Sequence, residues 1–289
     1  MRAIKEVKQQ IVCHTEYEAL EKVIVCQPKY MEITEVINEV QEEYAEENIN
    51  RLKAMEQHKA FTDALAENGV TVYMLPPAKT KPEQVFTRDI GFTIGHTLYI
   101  SEMASDIRQG EEEVLTKWLS KNSMPHKRLF SKEIEGGDVI IDGKRVFVGL
   151  SSRTNEDTVK SLKKLLPNYE VIPIEFDQKY LHLDCVFNIL SPEDALIFPE
   201  ALQKETVHML KGMYKTIEVN AEEQFTMGTN VLSIGHKKVF SLPVNKEVNQ
   251  NLRERGYTVI EVDLSEIIKS GGSFRCCTLP IKRTEIIKD

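Results

Sequence analysis

The 289-residue sequence has no apolar run approaching the roughly 20 residues that cross a bilayer as a helix. Its first residues, 1–6, hold no apolar signal core. A cytoplasmic protein is therefore expected. A basic surplus is also missing: 37 Lys and Arg stand against 45 Asp and Glu, a net charge of −8. A general nucleic-acid binder would present a basic surface, so that class is excluded, while a local basic pocket for an anionic group is not. Cysteine is scarce. Cys13, Cys26, Cys185, Cys276 and Cys277 are odd in number and scattered, with no C-x-x-C pair and no zinc-type Cys/His cluster. They read as free thiols, with Cys13, Cys26 and Cys185 as small buried hydrophobes.

What is present is an ordinary globular composition, 41% hydrophobic and 28% charged. The length supports a sizeable core, as one large domain or two ordinary ones. Residues 19–28 read as a strand closed by Pro28. A helix is expected over about 40–67, with Leu52, Met55, Phe61 and Leu65 near one face and Asn68-Gly69 as its stop. The acidic run 42–47 reads as a solvated face of that helix. The loop 29–35 with the following helix is a candidate lid, and 70–75 is a second strand.

A pattern then recurs. FTRD (86–89), EGGD (135–138), HLD (182–184), MGTN (227–230) and GGSFRC (271–276) each precede a strand or hairpin, with Asp142-Gly143 and Gly235-His236 as turns. Asp89, Asp138, Asp184, Asn230 and Cys276 follow one another at intervals of 49, 46, 46 and 46 residues. Helical stretches fall between them, at about 109–121, 155–165, 198–214 and 246–255. A fixed period of this size marks a repeat architecture. The last unit is short of a strand, which the N-terminal strand 19–28 can complete, closing a ring of five modules. Equivalent positions in such a ring face one axis, so these five residues are expected to converge.

Cys276 would need a base or a cation to become a thiolate nucleophile. His182 is the best partner, because residues two apart in a strand share a face and Asp184 then points the same way. The other histidines lack such a neighbour. Convergence of Asp89, Glu135, Asp138 and Asp184 demands a cation among them. A guanidinium, planar and with a fixed fork of N–H donors, matches several carboxylates. A metal is the competing reading, although no ligand motif repeats.

FTRD, EGGD, GLSSRTN (149–155), HLD and GGSFRC together resemble the guanidino-group-modifying superfamily of arginine deiminases, dimethylarginine dimethylaminohydrolases and amidinotransferases. The resemblance covers about residues 19–283. It implies an α/β fold, a five-bladed α/β propeller (pentein fold) of pseudo-repeated ββαβ modules. It also implies Cys276 as nucleophile, with Cys277 on the opposite face of its strand. His182 would be the general acid and base. Asp89, Glu135 and Asp184 would grip the guanidinium, and Arg153 would bind the substrate carboxylate. Phe86 would line the pocket, and Asp138 would bind substrate or support the site from behind. The implied reaction passes through a covalent thiouronium on Cys276 and yields a ureido product such as citrulline, without cofactor or metal. The partner is a small guanidino molecule, with neither nucleic acid nor membrane, and a homodimer is allowed for. Length and GLSSRTN are closest to dimethylarginine dimethylaminohydrolases. HLD departs from them, since they lack the aspartate, and with FTRD it is closer to deiminases and amidinotransferases. A non-catalytic propeller, like the ribosome anti-association factors, would have no need of Cys276, His182 and the carboxylates together.

Overall fold

Strands here are short, Val- and Ile-rich runs divided by tight turns. VIID at Val139–Asp142 and RVFVGL at Arg145–Leu150 double back at Gly143, whose φ of 61° lies in the left-handed region that glycine adopts without strain. The computed structural model describes residues 11–129 and 132–285. The expectation about residues 1–6 lies outside them.

Among the described residues there are five three-stranded sheets built alike. In each, a middle strand pairs antiparallel with one neighbour and parallel with the other. A parallel pair needs a crossover. Helices Glu111–Lys121, Glu156–Leu165, Lys204–Met213 and Lys246–Glu254 supply it in four sheets. In the fifth, Leu20–Cys26 pairs antiparallel with Leu279–Arg283 from the far end of the chain and parallel with Thr71–Leu75. The two ends of the sequence thus share one sheet, as the missing strand of the last unit requires.

Two expectations need correction. The helix over 40–67 is two helices, Glu39–Tyr44 and Arg51–Glu67. Asn48 breaks it at φ 59°, its side-chain oxygen accepting the Ile33 backbone N–H at 2.9 Å. The buried face of the second helix is Ala54, Gln57, His58, Phe61 and Leu65, while Leu52 is 80% exposed. The chain at 198–214 is helical over Lys204–Met213, preceded by a short turn at Pro199–Ala201.

The five spaced polar residues each stand one to three positions before the first strand of a sheet. Hydrogen bonds link them in a closed cycle. The Arg88 amide donates to the Cys276 carbonyl at 3.0 Å, and the Gly136 amide to the Asp89 carbonyl at 3.1 Å. The Leu183 amide donates to Asp138 Oδ1 at 2.9 Å, and Asn230 Nδ2 to the Asp184 carbonyl at 3.3 Å. The Arg275 amide returns to the Asn230 carbonyl at 3.2 Å. Convergence inferred from spacing is thus a set of contacts.

Candidate active site

EGGD shows why the local sequence must be what it is. A Cβ on Gly136 would strike the Arg88 carbonyl. One on Gly137 would lie 2.7 Å from the His182 ring and 2.8 Å from Asp89 Oδ1. The glycine pair therefore lets Glu135, His182 and Asp89 close on one another. His182 Nε2 shares a hydrogen bond of 2.8 Å with Glu135 Oε2, and its Nδ1 is 3.6 Å from Asp89 Oδ1. All three are buried. Burial alone would lower the His182 pKa. The carboxylates of Asp89, Glu135 and Asp138 outweigh that and hold it up to about 9. Burial would raise Glu135, but its bond to His182, with the charges of Arg108 and Arg153, holds it down to about 2.

Cys276 lies under the glycine turn. A Cβ on Gly272 would sit 2.5 Å from the Phe86 ring and 3.0 Å from Cys276 Cβ, so Phe86 packs directly beside the cysteine. Asn230 Nδ2 donates to Cys276 Sγ at 3.1 Å, and the thiol lies 3.8 Å from both Asp184 oxygens. Burial, with Asp184 and Asp89 nearby, pushes this thiol well above its ordinary pKa. Cys277 is buried in the same hydrophobic cluster as Phe61, Phe240 and Phe274, and it does not lie on the opposite face of a strand, because residues 274–277 form a turn ahead of the strand Leu279–Arg283.

Three expected positions take unexpected partners. His182 and Asp184 do not share a strand face, because Leu183–Cys185 is a turn of 3-10 helix. Asp184 Oδ2 instead accepts from Arg275 Nε at 3.1 Å. Asp138, expected among the substrate-binding residues, has its oxygens occupied. Oδ2 accepts from Ser151 Oγ and Thr154 Oγ1 at 2.6 Å each, and Oδ1 accepts from the Leu183 amide. It braces the turn that carries His182. Arg153 Nη2 donates to the Ile37 carbonyl at 3.0 Å, while Nη1 makes no hydrogen bond and lies 3.8 Å from Glu135 Oε1.

The sequence reading missed the cations that hold this site. Arg108 Nη1 donates to Asp89 Oδ2 at 2.6 Å and Nη2 to Glu111 at 2.9 Å. Arg275 joins Asp184 to Glu16. Arg275 stood inside GGSFRC, next to the nucleophile; Arg108 stood in no motif. Asp89, Glu135 and His182 each offer one ligand atom within 4.8 Å of the others. A metal would need a neutral imidazole. Here His182 is bonded to Glu135 and Asp89 is paired with Arg108, which leaves both carboxylates with a partner in the chain itself. A cavity of about 40 Å³ is lined by Asn38, Tyr180, Leu181, Cys185, Phe225 and Gly271, and by none of Cys276, His182 and Asp184. A cleft of about 960 Å³ is lined by Ser151, Thr154, Phe176 and Gln203 and by neither Cys276 nor His182, so a large volume alone does not mark this chemistry.

A buried thiol, an imidazolium and carboxylates converging in a five-sheet α/β fold define a member of the guanidino-group-modifying pentein superfamily. Residues 27–283 match the N,N dimethylarginine dimethylhydrolase family of eukaryotic type, and the chain belongs to that family. A Bacillus subtilis protein, the uncharacterised YkgA, is 49% identical over 283 residues, covering 98% of this chain and 99% of its own. The N(G),N(G)-dimethylarginine dimethylaminohydrolase of Mycobacterium tuberculosis is 28% identical over 74% of this chain and 70% of its own. The substrate-bound N-terminal domain of ArgZ, a cyanobacterial arginine dihydrolase, superposes with a TM-score of 0.83 at 26% identity, covering 91% of this chain and 98% of that domain. This chain spans 37% of the length of the whole bifunctional ArgZ of Synechocystis.

Proposed function

We propose that the protein hydrolyses the guanidinium group of arginine or an N-methylated arginine through a covalent intermediate on Cys276. The observation that carries this reading is the convergence of the Cys276 thiol with Asp184 at 3.8 Å and of His182 with Glu135 and Asp89. In this reading the five sheets are blades of one ring-shaped domain spanning residues 1–289.

The free site keeps the thiol protonated, because burial and two carboxylates oppose its ionisation. A guanidinium bound by Asp89, Glu135 and Asp184 reverses the local charge and favours the thiolate. Sulfur attacks the guanidinium carbon, and the carboxylates hold that carbon cationic and oriented. The His182 imidazolium gives its proton to the departing amine, leaving a thiouronium on sulfur. Neutral His182 then takes a proton from water, whose oxygen adds to the same carbon. Sulfur then leaves as the thiolate and takes up the hydroxyl proton of the adduct, replacing the one first lost to solvent, and the ureido product is released beside the already restored imidazolium. Arg153 exchanges the Ile37 carbonyl for the substrate carboxylate, which requires the 37–41 segment to shift as substrate enters.

Asp184 bears on the leaving group. It offers an acceptor to a guanidinium N–H, and each methyl on nitrogen removes a donor, so arginine is favoured over its dimethylated form. The test incubates the protein and its Cys276→Ser variant with arginine, mono- and dimethylarginine, agmatine and a guanidino acid, identifying products by mass. The expected result is a ureido product with ammonia or alkylamine from the wild type and none from the variant. Transfer of the amidino group to an added amine would reveal an amidinotransferase. Inactivity on every compound, or full turnover by Cys276→Ser, would sink the proposal.

A further inference from the structure

The family match begins at residue 27, yet a buried carboxylate from the segment before it holds Arg275, the residue that precedes Cys276. That segment is tied to three sheets. The Val12 amide donates to the Ile281 carbonyl at 2.9 Å, the Cys13 amide to the Gly95 carbonyl at 2.9 Å, and the Gly143 amide to the His14 carbonyl at 2.8 Å. It delivers Glu16, 5% exposed, to Arg275. Arg275 Nη1 and Nη2 both donate to Glu16, its third arm donates to Asp184, and its remaining bond goes to the Val139 carbonyl at 3.1 Å.

We propose that Glu16 is a positioning residue for the Cys276 site: it holds Arg275, and Arg275 in turn fixes Asp184 beside the sulfur. This rests on the reading of Cys276 as nucleophile. A packing role alone would ask only for shape. The charges ask for more. Glu16 also faces Arg88, whose Nη1 is 3.6 Å away, and the Arg283 guanidinium and Cys13 thiol lie in the same interior. The cluster therefore sets three guanidinium groups, Arg88, Arg275 and Arg283, against three carboxylates, Glu16, Asp184 and, beside Arg283, Glu18. Burial would raise Glu16, but Arg275 and Arg88 hold it down to about 2, so it stays ionised throughout the working range.

Removing that one charge has two consequences of definite sign. Arg275 and Arg88 would act on Asp184 without Glu16 to offset them, which makes it a weaker host for a cationic substrate. Arg275, relieved of its partner anion, also acts on Cys276, whose other charged or titratable neighbours are Asp184, Asp89, Cys185 and Cys277, and favours its thiolate. Glu16→Gln keeps the shape and an oxygen for the Ile141 amide, which donates to Glu16 Oε1 at 3.2 Å.

The experiment measures KM, kcat and the pH midpoint of Cys276 alkylation by iodoacetamide, located by peptide mass, with melting curves to establish folding. Glu16→Gln is expected to raise KM about tenfold and to lower the alkylation midpoint by about one pH unit. Arg275→Lys keeps the charge but loses the fork, so kcat falls at least tenfold with the midpoint nearly unmoved. A merely structural loosening would lower kcat without making the thiol more acidic. The proposal is overturned if folded Glu16→Gln shows KM and midpoint unchanged, or a midpoint that rises. Should that variant not fold, Arg275→Gln decides: it removes the cation that Glu16 holds beside Cys276, so the alkylation midpoint should rise, and a midpoint unchanged or lowered overturns the proposal. Alkylation is read without any guanidino substrate, so a shifted midpoint in a protein that turns nothing over would fail the proposed function and leave this inference standing.

Discussion

Asn230 and Cys276 are joined at two points. Asn230 Oδ1 accepts the Cys276 backbone N–H at 3.1 Å, and its Nδ2 donates to the Cys276 sulfur at 3.1 Å. One amide thus fixes the nucleophile's backbone and aims a donor at its reacting atom. In a site where burial and carboxylates oppose ionisation of the thiol, that donor is a neutral group stabilising the thiolate. A hydrogen bond to a charged atom contributes about 1.5–3 kcal/mol. Asn230→Ala should lower both Cys276 alkylation and turnover at least tenfold, measured at saturating reagent and substrate. Wild-type rates in both assays would mean that the contact does not stabilise the reacting form.

In the proposed mechanism His182 sets the alkaline limit of activity. Held up to about 9 against the effect of burial, its imidazolium is present at neutral pH and lost as pH rises through that value. The first chemical step needs that proton, so kcat should fall above about pH 9. Glu135→Gln removes one of the anions that raise it, and the limb should move to lower pH. A kcat–pH profile checks this; where turnover is too slow, the imidazole titration followed by NMR does. A limb that stays in place would show that Glu135 does not tune His182.

The regular intervals among Asp89, Asp138, Asp184, Asn230 and Cys276 were legible because each sheet places one residue at the same turn, and spacing along the chain preserves that equivalence. The partners of those residues were not. Arg108, Arg275 and Glu16 lie in irregular segments, and no periodicity separates a buried arginine from a solvated one. Only the fold shows that Arg108 ends on Asp89 and Arg275 on Asp184. The strand rule failed at 182–184 because the chain turns at Leu183–Cys185, a change that no Gly or Pro announces. The helix over 40–67 failed for a similar reason. Asn48 is held at positive φ while its side chain bonds Ile33, a contact 15 residues back along the chain.

The paired cysteines should separate cleanly. Cys277 is fully buried in the core cluster that holds Phe61, Phe240 and Phe274, and its amide donates to the Ser273 carbonyl at 2.9 Å. Cys277→Ala removes one buried sulfur and should cost about 1–2 kcal/mol of stability, read as a lower melting temperature. Turnover should stay within about twofold, since no reacting group is touched. Cys276→Ala should do the reverse, abolishing turnover with little change in melting. Lost activity in a well-folded Cys277→Ala protein would reassign the nucleophile.

Gly137 gives the most local test of the acid–base group. His182 Nδ1 and Asp89 Oδ1 are buried polar atoms without a hydrogen-bond partner among the described residues, and Gly137 stands against both. A methyl there would lie 2.7 Å from the imidazole and 2.8 Å from the carboxylate, closer than real Cβ contacts allow. Neither neighbour can retreat cheaply. His182 is bonded to Glu135 at 2.8 Å and Asp89 to Arg108 at 2.6 Å. Gly137→Ala must therefore displace one of these groups, and a misplacement near 1 Å is enough to cost about a hundredfold in rate. The expected result is a fall in kcat of about that size, with the protein folded and Cys276 still alkylated by iodoacetamide. Retention of wild-type kcat would mean that His182 and Asp89 act from other positions than those they hold at rest.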